Sequence, residues 1–525
     1  MNPAVILLFG ILFLGCVCSA RLSSKFNMPF LLVFLAIGML MRLLSGQGIV
    51  SSLTSVQNSL TWSTANFIGS VALAFILFTG GYSTKLNNLA SVQTSGIILA
   101  TVGVLLTAGC LAVFGYWLLN ALLPFPVTFL GCLLLGSIIS STDAAAVFSI
   151  LRSRSVGLKG QLKPLLELES GSNDPMATFL TITFLELVMQ EIGVSPSSSN
   201  PYLFLPLQFV LKMSLGLAFG LLGGKVSVWL FNHLNLEHDG LYYVLGMGSV
   251  LGTFGLSELC WGNGFLAVYV AGVYMGNSDF TFHNGYGRFS DAIGWLMQVT
   301  LFGMLGFLAT PSLLWKYKWL GLGMALFLMF VARPVSCFLC LLRSKFTWQE
   351  KTLISWVGLR GGAPIMLATF PMMKDMLATN GNTPTSLILF HIIFFMVILS
   401  VLIQGNTIMP LAKKLRLDAP LKPAPHPPLF IENLGRHGHA DSSDFRNTRP
   451  REFSVTAGSD LAGQKIADCK LPSEAFIIMI QRNDAYIIPR GNTVLKPGDN
   501  LTILGSQGAL EECAVLFQTG ESLAV

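Results

Sequence analysis

Three stretches set ionisable side chains among residues that would otherwise be apolar. Asp143 lies in SIISSTDAAAV, Glu167, Glu169 and Asp174 lie in ELESGSNDP, and Arg360 lies in GLRGGAP. Arg333, followed by Pro334, stands deep in a further apolar block. Ionisable groups at bilayer depth are costly and point to function by default. Each has a plainer reading when taken alone. Glu167 fits an interfacial position, Arg333 a structural partner or a basic anchor, and Asp143 or Asp174 a buried protonated acid. Two carboxylates, a Ser-Thr pair, Asn173 and an arginine at similar depth in three blocks are harder to explain that way.

The available donors are hard oxygens: Asp143, Asp174, Ser170 and a hydroxyl or carbonyl of Thr142. Such a set suits Na+, K+ or Li+ and disfavours soft metals. A carboxyl desolvated at Asp174 can carry a proton or ligate a cation. If those two states exclude each other and only loaded carriers reorient, cation/proton exchange results.

The backbone around these residues is built to break. Ser140-Ser141-Thr142-Asp143 is a poor helix former in mid-block, Gly361, Gly362 and Pro364 interrupt another block, and Gly171 and Pro175 bracket a third. Non-helical backbone at membrane depth is tolerated where it is buried or lines a cavity. Broken segments in corresponding positions of two halves point to a transporter site. Asp143 and Arg360 carry the signs that neutralise facing half-helix ends.

The positioning elements follow from composition. The chain has 525 residues, 53% hydrophobic and only 11% charged, with a mean hydropathy of +0.65. This excludes a soluble enzyme, a disordered chain and, despite the net charge of +6, a nucleic-acid binder. The ten-residue alternation of an outer-membrane barrel is absent. Apolar blocks of spanning length predict an all-α polytopic membrane protein with about thirteen transmembrane helices. Their limits are 3–20, 27–44, 62–82, 95–120, 127–151, 165–189, 203–232, 241–260, 263–277, 292–310, 319–342, 351–373 and 385–412. The broken blocks are then fifth in each half of an inverted repeat, spans one to six with eight to thirteen. The first block has no basic residue before its apolar run and is read as a span, not a signal peptide. Between spans, one set of loops holds 15 Lys and Arg and the alternate set 5. The positive-inside rule puts the N-terminus outside and the C-terminus in the cytoplasm.

Residues 1–417 form the membrane domain. Residues 418–451, rich in Pro, His, Gly and Ser, read as a linker, with His437 and His439 solvated. Residues 452–525 read as a small α/β domain: EFSVT, EAFIIMIQR, AYIIPR and NLTILG as strands, then a helix over 507–517. A lone domain of that size is marginal, so pairing with a second copy is expected. Seven of the nine cysteines lie in or beside apolar blocks, and the Cys337–Cys340 CxxC has no second pair, so they read as small buried thiols.

STDAAAVFS, ELESGSNDPMA and GLRGGAPI, in this order, resemble the NhaP-type monovalent cation:proton antiporters over roughly residues 3–415. IQRNDAYIIPRGNTVLKPGDNLTILG resembles the TrkA-C (RCK C-terminal) domain. The combination is similar to bacterial K+/H+ antiporters with a cytoplasmic regulatory tail. The resemblance implies Asp174 as principal carrier of cation and proton, with Asp143, Ser170 and Thr142 as site ligands. It implies that Asn173 marks an electroneutral branch and that Glu169 and Arg360 form a buried ion pair, with Arg333 a further matching arginine. It also implies a homodimer in the bacterial inner membrane, elevator-like movement of one bundle, and no cofactor beyond the transported K+ or Na+ and H+. Two departures stand out. Thr79 in FTGGY stands where relatives often place Asp or Glu before Gly-Gly, and TDA replaces the TDP of some relatives.

Two other function classes compete. A tail-gated cation channel is disfavoured because no TVGYG-like filter occurs. A non-transporting ion sensor would bind without flux. No nucleophile motif surrounds Glu258, Asp291 or His391, which argues against an enzyme. The tail has no Gly-rich phosphate loop, so the identity of a small-molecule effector there stays open.

Overall fold

The computed structural model describes residues 10, 13–15, 17, 30–46, 62–153, 156–192, 201–373, 385–420, 448–455, 461–469, 471–472, 475–482 and 485–518. The chain divides into two compact units, 1–421 and 422–525.

The first unit is helical, as lipid requires when every backbone polar group must be satisfied within its own segment. In chain order it contains α1 (Phe30–Gly46), α2 (Trp62–Ser83), α3 (Gln93–Leu122), α4 (Phe129–Ile139) and α5 (Ala144–Ser153). After a three-residue strand β1 (Val156–Leu158) come α6 (Leu162–Glu191), α7 (Pro201–His233), α8 (Asp239–Leu259), α9 (Gly264–Gly276) and α10 (His283–Leu308). It closes with α11 (Lys318–Cys340), α12 (Trp348–Trp356), α13 (Gly362–Leu367), α14 (Thr385–Lys414) and strand β2 (Asp418–Pro420).

Among the described residues six helices (α2, α3, α7, α10, α11 and α14) are long and apolar enough to cross a membrane, and four shorter apolar helices accompany them. The fifth and twelfth expected spans are each broken into two helices. The chain is extended at 141–143 between α4 and α5 and at 358–361 between α12 and α13. The first expected span lies largely outside the described residues, as do Cys16 and Cys18. The seven cysteines described are free thiols.

Helix packing falls into two sets. In one, α9 packs along α2, α7 and α8, and α10 packs along α1 and α2. In the other, α4 packs against α3 and α6, and α11 packs against α14 and α3. Within the first set glycines bring backbones together, the close approach that packs membrane helices. A Cβ at Gly272 would lie 2.3 Å from the Phe78 carbonyl oxygen, and one at Gly276 would lie 2.0 Å from that of Tyr82.

At the end of α14 the chain turns through Arg416 at φ +59° and enters β2. β2 pairs antiparallel with β1, in the register Val156–Pro420, Gly157–Ala419 and Leu158–Asp418. The Lys159 amide donates to the Leu417 carbonyl at 2.9 Å and its Nζ to the Arg416 carbonyl at 3.0 Å. The segment expected to be all linker therefore starts with a strand hydrogen-bonded to the α5–α6 loop.

The second unit is a four-stranded antiparallel sheet in the order β3–β6–β4–β5, with a helix, α15, packed on it. The strands are β3 (Thr448–Ser454), β4 (Ala475–Arg482), β5 (Ala485–Ile487) and β6 (Asn500–Ser506), and α15 spans Gln507–Gln518. Ile480, Leu495, Leu501, Ile503 and Cys513 are fully buried between them. β3 starts at Thr448, inside the expected linker, because β6 offers seven residues of edge for it to pair with.

Candidate ion-binding site

The two chain breaks meet. The Asp143 amide donates to the Leu359 carbonyl at 2.8 Å, which joins one extended segment to the other. Arg360 donates from Nη1 to the Ser140 and Ser141 carbonyls at 2.5 and 2.7 Å, at the C-terminal end of α4. A cation there offsets the carbonyls that a helix end leaves without intrahelical donors. Asp143 takes the opposite role at the start of α5, where its Oδ1 accepts from the Ala146 amide at 2.9 Å. Gly361 is required beside it, since a Cβ there would lie 2.0 Å from Asp143 Oδ2.

α6 supplies the other wall. Ser170 Oγ donates to the Thr142 carbonyl at 2.8 Å and accepts from the Ala144 amide at 3.0 Å, so it clamps the break on both sides. Asn173 Nδ2 donates to Thr142 Oγ1 at 2.5 Å. The Ser141 hydroxyl donates to Asp174 Oδ1. Asp174 is 6% exposed. Pro175, inside α6, lacks the amide that would bond to Gly171. Its own carbonyl accepts from Asn263 Nδ2 at 3.0 Å, which links α6 to the head of α9.

Asp143, Thr142, Ser170 and Asp174 line one cavity of about 590 Å3. Its opposite wall comes from α2, α9 and α10, through Thr79, Tyr269 and Asp291. Thr79 donates to the Ser290 carbonyl at 3.1 Å. With Glu167, four carboxylates line the cavity, and no Lys, Arg or His is among its lining residues. Such a lining has the charge and the hard-oxygen donors that suit a hard cation. Among the described residues no cluster of three His, Cys, Asp or Glu has the arrangement of a multidentate metal site.

One expectation is corrected. Glu169 pairs with Arg333, not with Arg360: Arg333 Nη2 lies 2.5 Å from Glu169 Oε1, and both side chains are almost wholly buried. Arg333 reaches α6 from just after a π-helical turn in α11, Leu328–Ala332. Arg360 is held by the free carbonyls of α4, which the bare motif could not show. The structure brings together Asp143, Thr142, Ser170, Asn173 and Asp174, places Arg360 at their edge, and puts Thr79 across the cavity. Sequence reasoning missed Ser141 as the partner of Asp174, although it stands beside the quoted TDA. It also missed Tyr269, which no motif marks.

Residues 8–414 match the family described as sodium/hydrogen exchanger, transmembrane, and residues 451–518 match the TrkA-C domain. The K(+)/H(+) antiporter NhaP2 of Shewanella oneidensis is 33% identical over 94% of this chain and 80% of its own length. The K(+)/H(+) antiporter NhaP of Alkalimonas amylolytica is 31% identical over 98% of this chain and 84% of its own. The solved sodium proton antiporter MjNhaP1 of Methanocaldococcus jannaschii superposes with a TM-score of 0.62 at 26% identity, covering 78% of this chain and 99% of that one.

Proposed function

The chain belongs to the sodium/hydrogen exchanger family, and on that premise we propose that it exchanges K+, ahead of Na+, for H+ at Asp174. That it is a cation/proton antiporter of NhaP type follows from its relatives. The observation that carries the site is the placement of Asp174: a buried carboxylate that accepts from Ser141 and lines a cavity rich in hard oxygens.

The chemistry proceeds from those contacts. Ionised Asp174 accepts a hydrogen bond from the Ser141 hydroxyl and offers its remaining lone pairs to a cation, with Asp143 and the oxygens near Thr142 and Ser170 completing the shell. Protonated Asp174 presents an O–H to the same space and has no charge to hold a cation. Proton and cation therefore compete for one carboxylate. Asn173 adds no second charge, so each loaded form is neutral at this pair of positions and exchange is electroneutral.

The two helix sets support alternating access of elevator type. The set carrying the breaks, α6 and the buried Glu169–Arg333 pair moves as one body against the glycine-packed set of α2, α9 and α10. In this reading there are about thirteen spans, one to six related to eight to thirteen by an inverted repeat with the seventh as linker, the N-terminus is outside, and the C-terminus faces the cytoplasm of a bacterial inner membrane. The functional unit is a homodimer. The TrkA-C domain regulates exchange through a small ligand, and the β1–β2 pairing joins the start of its linker to the loop between α5 and α6. The K+ preference is supported by the relatives named K(+)/H(+) antiporters, which share the tail.

The test is exchange by the full chain in sealed liposomes with Na+, K+ and Li+ at several pH values. Saturable exchange at carrier rates, with K+ favoured, is expected. Currents far above carrier turnover, or binding without flux, would contradict the reading.

A further inference from the structure

The cavity has one feature that the exchange scheme leaves unused. Of the buried side-chain polar atoms without a hydrogen-bond partner among the described residues, only the Tyr269 hydroxyl belongs to a residue lining the cavity. Tyr269 is 5% exposed. A buried phenol ordinarily finds a partner, and one that does not calls for an explanation. The Thr84 hydroxyl is its polar neighbour, within interaction range but outside ordinary hydrogen-bond geometry, and itself donates to the Gly80 carbonyl at 2.8 Å.

Its position is set by shape. The phenol end of the ring rests on the α6 backbone at Gly171. A Cβ there would lie 2.2 Å from Tyr269 Cε2 and 2.7 Å from its hydroxyl oxygen, so only glycine admits the ring. Residues 167, 171 and 174 share one helix face at spacings of four and three. The phenol end therefore rests on the helix face of α6 that carries Glu167 and Asp174, and Tyr269, Gly171, Glu167 and Asp174 all line the cavity.

The ring comes from the other helix set. Tyr269 is on α9, locked to α2 by close approaches such as Gly81 against the Tyr269 carbonyl, where a Cβ would lie 2.3 Å away. Inside that set backbone meets backbone. Across to α6 the contact at Gly171 is the end of one side chain. A hydroxyl has lone pairs to ligate a hard cation, and no hydrogen bond of ordinary geometry occupies this one.

We propose that Tyr269 is a specificity-determining residue whose hydroxyl supplies an oxygen ligand to the transported cation from the helix set that does not carry Asp174. This rests on the exchange reading and deepens it. A ligand contributed across the two sets exists only in the conformation that seats the ring on Gly171. It therefore raises cation affinity in that conformation and is withdrawn when the sets move apart, which favours release. The ring also fixes the distance from which its oxygen reaches the ion, so it discriminates between cations of different radius.

The test is Tyr269→Phe in the full chain, reconstituted in liposomes, with exchange measured against K+, Na+ and Li+ concentration. The substitution keeps the ring and removes one oxygen. The apparent KM for the preferred cation is expected to rise roughly three- to tenfold, the scale of one lost polar contact, with an altered ratio of KM between cations. The saturating rate should stay within about twofold, the pattern of lost cation binding. Gly171→Ala, which displaces the ring while leaving the hydroxyl, should shift KM in the same direction. Unchanged KM for all three cations in Tyr269→Phe overturns the proposal, as does a lower saturating rate at unchanged KM. A parent chain that exchanges none of the three overturns the functional reading and this inference together.

Discussion

The Asp143 amide donates to the Leu359 carbonyl across two broken helices, at 2.8 Å. This single backbone bond ties together segments more than two hundred residues apart in sequence. It also places Asp143 against Gly361, and Arg360 against the end of α4, so the charged residues of both breaks are positioned by backbone geometry.

Glu169 and Arg333 form a buried pair, 1% and 2% exposed. Removing one partner leaves an uncompensated charge in a low-dielectric interior. Glu169→Gln should therefore destabilise the membrane domain by about 3–5 kcal/mol. The double substitution Glu169→Gln with Arg333→Met should recover much of that loss, because no charge is then stranded. Thermal unfolding of the detergent-solubilised chain measures both. A single variant as stable as the parent would remove the pair from any structural role.

Asn173 donates to Thr142 Oγ1 and carries no charge. Asn173→Asp adds a carboxylate beside Asp174, so the moving body gains up to one charge per cycle. Exchange is then expected to respond to membrane potential, by about 2.3 kcal/mol per elementary charge per 100 mV. Parent exchange should be insensitive to an imposed K+-independent potential. A parent that responds to potential would contradict electroneutrality.

The β1–β2 pairing gives a separate test of tail coupling. Truncation after Leu421 keeps β2 and removes the domain, whereas truncation after Arg416 removes both. The first should abolish any effector response and leave basal exchange. The second should further alter basal rate or its pH profile, because the α5–α6 loop loses its strand partner. Identical behaviour of the two truncations would show that the pairing transmits nothing.

In the tail, Arg482 forks onto both oxygens of Asp499 at 2.7 and 2.8 Å, and the Lys496 amide donates to Asp499 as well. The guanidinium hydrogen bond holds the Asp499 carboxyl below its ordinary value. A carboxyl depressed in the folded state contributes stability that is fully present above its unfolded value and is lost as pH falls through the folded one. Unfolding of the tail followed from pH 7 down into the acid range should show this loss, and Asp499→Asn should flatten it. The same substitution should cost about 2 kcal/mol at neutral pH, the scale of a charged hydrogen bond. Equal acid sensitivity in parent and variant would contradict the role assigned to the pair.

Much of this architecture is legible in the amino-acid sequence. Hydrophobic block lengths reflect bilayer thickness directly, and polar residues inside such blocks mark where backbone leaves the helix, so the breaks at Ser140–Asp143 and near Gly361 could be read from residue type alone. Partner choice could not. Whether Glu169 meets Arg333 or Arg360 depends on helix rotation and on the π-turn in α11, and neither leaves a sequence trace. Tyr269 stayed hidden for a related reason: an aromatic residue on an apolar helix is ordinary, and only the facing Gly171 makes its hydroxyl significant. β2 was hidden because a three-residue strand in a proline-rich stretch carries no periodicity.

The central claim is that one carboxylate takes either a proton or an alkali cation. It is tested most directly by adding K+ or Na+ to acidified everted vesicles bearing the parent chain or Asp174→Asn and following a pH-sensitive dye. Parent vesicles should release the trapped protons on cation addition, and Asp174→Asn vesicles, with the protein present at equal level, should release none. Proton release by the variant at the parent's rate would contradict the account.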